Sequence, residues 1–185
     1  MIIDPNEIIR EYYHAGTKAH YFLVVHGQLV AEKALAVAEN VKHLNPDIQF
    51  IEEGALLHDV GMIMTKVPDI GCFGSDPYVR HGVLGRHMLD EKGLPKHALV
   101  CERHLMLGLS AAAIEKVQLP LPVRDMKPIT LEEKIITYAD LFYSKNPESL
   151  YKEKTLEEIE TDLSKYSKSM VLKFKKWVSN FELHE

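Results

Sequence analysis

Apolar residues return at helical spacing along nearly the whole chain, and no stretch alternates as a half-buried strand would. Asp4-Pro5 is a good N-cap with a proline at the first helical position, and it opens a short amphipathic helix from Asn6 to Tyr13. A long helix is expected from about Lys18 to Leu44, where Leu29, Ala36, Val37 and Val41 share a face, with Asn45-Pro46 as its stop. Ile48 to about Val60 reads as a second, more apolar helix, and Gly61 follows as its stop. Further helices are expected over Tyr78–Glu91, Pro95–Leu107, Ser110–Val117 and Leu131–Ser144, the last with the capping pattern Thr130 and Glu133. Thr155 and Glu158 repeat that pattern at the head of one final long helix reaching about Phe181.

Two stretches break the periodicity. Thr65–Tyr78 holds Pro68, Gly71, Gly74 and Pro77 and reads as a loop, long enough in a compact domain to suggest a functional part. Leu119–Pro128, with three prolines, reads as an extended connector. The pattern predicts an all-α fold: a compact helical bundle over residues 1–150, with residues 151–185 as a C-terminal helical appendage packing on or beside it.

Composition narrows the setting. Of the 185 residues 46% are hydrophobic and 26% charged, enough apolar material for one packed core. The net charge of -5 argues against a nucleic-acid scaffold, and the basic stretch Lys165–Lys176 is interleaved with apolar residues as a solvated helix face would be. Cys72 and Cys101 cannot build a disulfide framework, and nothing beside either marks an activated thiolate. No signal-peptide pattern opens the chain and no 18 consecutive residues are apolar, so a cytoplasmic setting without membrane partners is expected.

Ten histidines are more than a chain of this size needs, and the question is which of them converge. In Leu56-Leu57-His58-Asp59-Val60-Gly61 an imidazole and a carboxylate stand together at the end of an apolar helix, where both can turn toward one ion. Metal ligation would remove the cost of burying that carboxylate; a packed histidine beside a helix-end carboxylate is the plainer alternative. His26 lies among Val24, Val25 and Leu29, and Asp140 follows Ile135, Ile136 and Ala139, so each is a polar group set in an apolar stretch. Polar groups presented by several buried helix faces are how metal sites are assembled inside helical bundles.

The order His26, His58-Asp59, Asp140 resembles the signature of the HD superfamily of metal-dependent phosphohydrolases. Leu57-His58-Asp59-Val60-Gly61 is similar to its central motif and Tyr138-Ala139-Asp140 to its last, over roughly Tyr21 to Lys145. The resemblance implies one divalent ion held by His26, His58, Asp59 and Asp140. Arg80-His81-Gly82 and Glu102-Arg103-His104 resemble the intervening motifs of binuclear members, among them cyclic-dinucleotide phosphodiesterases and symmetrical diadenosine tetraphosphate hydrolases. Carried over, His81 and His104 would hold a second ion with Asp59 bridging the two. The GYP tripeptide of the cyclic-dinucleotide enzymes is absent, and Leu105-Met106-Leu107 departs from the polar or small residues those relatives have. Gly71–Lys145 is also similar to small stand-alone HDIG-type proteins of bacteria and archaea, a group that names no reaction.

The resemblance implies hydrolysis of a phosphoester, in a nucleotide or related small molecule, by metal-activated water. Asp59 would orient the nucleophile, Lys145 would contact the substrate phosphate, and Arg80 and Arg103 are the further substrate-binding candidates, each with a surface salt bridge as the plainer reading. Mixed imidazole and carboxylate ligation suits one or two ions of manganese, iron, cobalt, nickel or zinc. Two rival classes use the same residues: a di-iron oxygenase, which some HD-fold proteins with a similar cluster are, and a non-catalytic nucleotide- or metal-binding module. His14, His20, His43, His87, His97 and His184 lack partners at ligand spacing, and Asp69 and Asp76 serve a turn as well as they would serve a substrate. Trp177 and Phe181 are expected to pack back on the core, with a homodimer contact left open.

Overall fold

A computed structural model describes residues 3–182, so His184 lies outside the described residues. The protein is 63% helical, with nine α-helices among the described residues. They are α1 (Pro5–Tyr12), α2 (Lys18–Asn40), α3 (Ile48–Leu57), α4 (His81–Glu91), α5 (Pro95–Arg103), α6 (Ala111–Lys116), α7 (Leu131–Asp140), α8 (Leu156–Ser164) and α9 (Lys168–Phe181). The all-α expectation holds.

Local chemistry sets most of the boundaries. The side chains of Asp4, Thr17, Asp47, Ser110, Thr130 and Thr155 each accept a backbone N–H in the first turn of the helix they precede. Thr155 and Glu158 form a reciprocal capping box. At Thr130 the box is incomplete, because the Glu133 carboxylate accepts from Ile129 N at 2.6 Å and pairs with Arg103 instead.

Three expectations are corrected. The expected last helix is two, since the chain leaves helical geometry after α8 and Ser167 caps α9 afresh. The loop before α4 contains a small antiparallel hairpin, β1 (Lys66–Val67) with β2 (Cys72–Phe73), closed by a turn with Gly71 at φ +83°. Strands of two residues are too short for alternation to show. And α3 stops at Leu57, so His58 and Asp59 occupy a corner from which a 3-10 turn, Val60–Met64, departs.

Helix α2 runs through the bundle between α3 and α7. With a mean hydropathy of 1.2 over 18 residues it is long and apolar enough to cross a membrane; half of that stretch is buried among its neighbours. Its residues Phe22 and Leu23 join one apolar cluster, with Ile9, Tyr13, Leu57 and Met62. Val30, Ala34 and Val37 join another, with Ile51, Ile135, Tyr138 and Phe174. His26 lies between these two sets, at the waist of the core. Trp177 and Phe181 of α9 lie in the same cluster as Tyr138, with Phe181 and Tyr138 ring centroids 5.3 Å apart. Full burial of each such ring is worth about 2–3 kcal/mol.

Candidate metal centre

Five elements deliver side chains to the waist of the core. α2 supplies His26, the α3 corner supplies His58 and Asp59, the start of α4 supplies His81, the end of α5 supplies His104, and the end of α7 supplies Asp140. Among the described residues, one ligand atom each from His26, His58, Asp59 and Asp140 lies within 4.8 Å of the others, and Asp59, His81 and His104 form a second such group. Asp59 belongs to both. Its Oδ2 is 3.2 Å from His58 Nε2 and 3.4 Å from His26 Nε2, while its Oδ1 is 3.1 Å from His81 Nε2 and 3.5 Å from His104 Nε2.

The histidines are aimed by one repeated device. His58 Nδ1–H donates to the carbonyl of Ala55 at 2.6 Å, His81 Nδ1–H to Tyr78 at 2.7 Å, and His104 Nδ1–H to Cys101 at 2.8 Å. Each partner lies three residues earlier. A carbonyl only accepts, so each ring carries a hydrogen on Nδ1 and turns Nε2 toward the centre, the nitrogen left to serve as a metal ligand.

Close helix approach puts α4 there. A Cβ built on Gly61 would lie 2.2 Å from Gly85 N and His81 O, so the 3-10 turn and α4 touch backbone to backbone. Gly61, expected as a helix stop, is needed for this contact instead.

The residues fit a bound cation. Asp59 Oδ1 and Oδ2, His58 Nε2 and His26 Nδ1 are buried without a hydrogen bond of acceptable geometry. His81 Nε2 and His104 Nε2 stand 3.1 Å apart beside a carboxylate oxygen. So many acceptors turned on one another call for positive charge among them.

Lys145, which follows α7, brings its Nζ to 2.6 Å from Asp59 Oδ2 and 3.7 Å from Asp140 Oδ1. Burial opposes ionisation of both aspartates, but His58 and Lys145 at Asp59, and Lys145, His26 and His58 at Asp140, hold them well below the usual carboxylate range. Burial and then the Lys145 charge push His26 down to about 4. Burial would lower His58 too, but Asp59 and Asp140 lift it to about 10. Burial lowers His104.

The remaining candidates lie elsewhere. Arg80 is turned away, its Nε 2.8 Å from Asp76 Oδ1 and its guanidinium donating to Pro120 O at 3.2 Å. Arg103 pairs with Glu133 at 2.8 Å beside a separate cavity lined by Asp47, Phe50 and Glu132. His97 is a core histidine with Glu53 at 2.9 Å, and His14, His43 and His87 are exposed. Cys72 and Cys101 are free and buried.

Two contributors were not foreseen. Tyr78 stacks on His81 with centroids 4.5 Å apart and planes at 28°, and its phenol lies against the Lys145 ammonium. Buried Glu102 binds Arg86 of α4 and Arg124 of the proline-rich connector, two residues before His104. The spacing Tyr78–His81 was visible in sequence, but backbone carbonyls carry no residue identity and left no signal.

Beside Lys145 opens a cavity of about 680 Å³ lined by Asp69, Tyr78, Tyr143, Lys154 and Tyr166. Asp69 thus reaches the site while Asp76 serves the loop.

Residues 25–144 match the family model described as HD domain. An uncharacterized protein of Methanocaldococcus jannaschii is 38% identical over 121 residues, 64% of either chain. Two proteins named tRNA (cytidine(56)-2'-O)-methyltransferase are similar as well. That of Thermoplasma volcanium is 33% identical over 66% of this chain and 32% of its own, and that of Picrophilus torridus 30% identical over 64% and 30%. The chain therefore spans just under two thirds of the first relative and about a third of the other two. No solved structure matches the chain at a significant level.

Proposed function

The chain belongs to the HD domain family, a superfamily of metal-dependent phosphohydrolases, and on that footing we propose that it hydrolyses a phosphoester of a nucleotide or related small molecule. His26, His58, Asp59 and Asp140 would hold one divalent transition-metal ion, and Asp59, His81 and His104 a second. The observation that carries this reading is the position of Asp59, whose Oδ2 faces His26 and His58 while its Oδ1 faces His81 and His104.

Ions bound there would lower the pKa of water and polarise a phosphoryl oxygen. The protein's own residues do the rest. Asp59 fixes the position of the attacking water relative to phosphorus. Lys145, in the lining of the cavity, offsets charge on the phosphoryl group as it develops. The three i−3 carbonyl bonds keep the imidazoles from rotating, so little reorganisation is needed during the reaction. The apolar clusters on either side limit water access and raise the strength of every one of these interactions.

The Thermoplasma and Picrophilus relatives are named for work on tRNA, so phosphate esters at RNA ends belong among the substrates tried. The test is metal content of the purified protein together with a phosphoester screen under added manganese, with Asp59→Ala as control. About two equivalents of metal and phosphate release lost in the variant are the expected result. A protein that takes up no transition metal after reconstitution would overturn the reading.

A further inference from the structure

The charge around the cavity beside Lys145 bears on what it can admit. Its lining contains three charged side chains, Asp69, Lys145 and Lys154. Lys154 is spoken for, with its Nζ 2.9 Å from Asp162 Oδ2. Asp69, exposed on the turn between β1 and β2, adds a carboxylate to the lining. Lys145, paired with Asp59 and near Asp140, is the lining cation that faces the metal ligands. Tyr78, Tyr143, Tyr166, Val67 and Ile70 also line the cavity. The Tyr143 hydroxyl donates to a further carboxylate, Glu153, at 3.4 Å.

Lys145 can meet one phosphate there. Each additional phosphate would bring more negative charge against Asp69 and tyrosine rings, with no spare cation to meet it. The tyrosines of the lining suit a flat organic group, which stacks well on aromatic faces. Tyr78 adds a donor: its ring is locked on His81 and its hydroxyl lies beside Lys145.

We infer that this cleft admits the monophosphate ester of a flat, uncharged organic group, its phosphate held by Lys145 and the Tyr78 hydroxyl, and that it disfavours di- and triphosphates. The inference rests on the hydrolase reading and gives it a substrate class. Water adds to phosphorus, the ester P–O bond breaks, and the organic group leaves as the alcohol with a proton from that water.

The experiment compares AMP, ADP and ATP with the manganese-loaded protein, so that only the phosphate count changes. The expected kcat/KM for AMP exceeds those for ADP and ATP at least about tenfold, the size of effect one unpaired charge contributes. Tyr78→Phe keeps the ring and removes the hydroxyl; AMP affinity by calorimetry falls about tenfold while metal stoichiometry and melting midpoint stay unchanged. Asp69→Asn narrows the gap between AMP and ATP. ADP or ATP cleaved as well as AMP overturns the inference, as does a Tyr78→Phe protein with unchanged AMP affinity or with lost metal. p-Nitrophenyl phosphate is itself such a monophosphate ester, so its cleavage is expected too; hydrolysis of ADP or ATP in preference to AMP and p-nitrophenyl phosphate overturns the inference alone, whereas a metal-loaded protein that cleaves no phosphoester overturns the hydrolase reading with it.

Discussion

Asp59 Oδ1 lies 3.1 Å from His81 Nε2 although the two residues come from different elements, the corner after α3 and the first turn of α4. Through that contact a single carboxylate joins two groups of ligands. Its removal should therefore affect both ions. Asp59→Ala is expected to retain well under one equivalent of metal and to lose phosphohydrolase activity by about a thousandfold or more. Elemental analysis and a steady-state assay on the same preparation check this. Retention of two equivalents would show that Asp59 is not the bridge.

Chelation should loosen the protein as well as silence it. Ligands drawn from α2, the α3 corner, α4, α5 and α7 would make a bound ion a cross-link specific to the folded state. At a thousandfold excess over Kd, such binding is worth about 4 kcal/mol. The melting midpoint is expected to fall by several degrees after treatment with EDTA and to recover when manganese is returned. An unchanged midpoint would place the ion, if bound, outside the core.

Metal affinity should rise with pH. In the ion-free chain Asp59 and Asp140 lift His58 to about 10, so at neutral pH His58 holds a proton where a ligand lone pair is needed. Binding must expel that proton, and the pKa lies above the working range. Affinity then gains about tenfold per pH unit for each proton released, from pH 6 to 8. Calorimetry in buffers of different ionisation enthalpy counts the protons directly, and zero release would contradict the assignment of His58.

Gly61→Ala tests the backbone contact behind His81. The new methyl group would meet Gly85 N and His81 O at 2.2 Å, so α4 has to move away. A loss of about 3 kcal/mol in chemical denaturation is expected, with the second equivalent of metal lost before the first. A stable variant with both equivalents would mean that α4 can shift without moving His81.

Glu102 holds two arginines from separate segments beside His104. Its carboxylate is buried, while Arg86 and Arg124 stay partly exposed and can recover some hydration. Glu102→Ala is therefore expected to cost about 2 kcal/mol, less than for a fully buried pair, and Glu102→Gln less again. Urea denaturation of the two variants checks the order.

What the sequence made legible depended on how locally each feature is encoded. His58 and Asp59 are adjacent, and the capping residues Thr130 and Thr155 lie within one turn of what they bond, so pattern and structure agree there. The interruption after Ser164 was missed because helical apolar spacing continues across it, from Leu163 to Phe174, while the break itself is a matter of Ser167 capping. Arg80 and Arg103 drew attention as neighbours of proposed ligands in the chain. Their partners, Asp76 with Pro120 and Glu133, are set by tertiary neighbours that spacing does not reveal. Tyr78 went unnoticed for the same reason, since its stacking on His81 follows from the 3-10 turn Tyr78–Arg80.

His26 and Asp140, bonded at 2.9 Å, stand 114 positions apart. Bringing two such points together costs a free chain roughly 4 kcal/mol in loop entropy, and that cost falls due before the ion can contribute. The apolar cluster that joins Val30 and Val37 of α2 to Ile135 and Tyr138 of α7 closes that loop first, so the ion can find its full ligand set only after the core has collapsed. Refolding in the presence of metal should consequently leave the folding rate almost unchanged and act on the unfolding rate, so that the ion protects a protein already made rather than guiding how it is made.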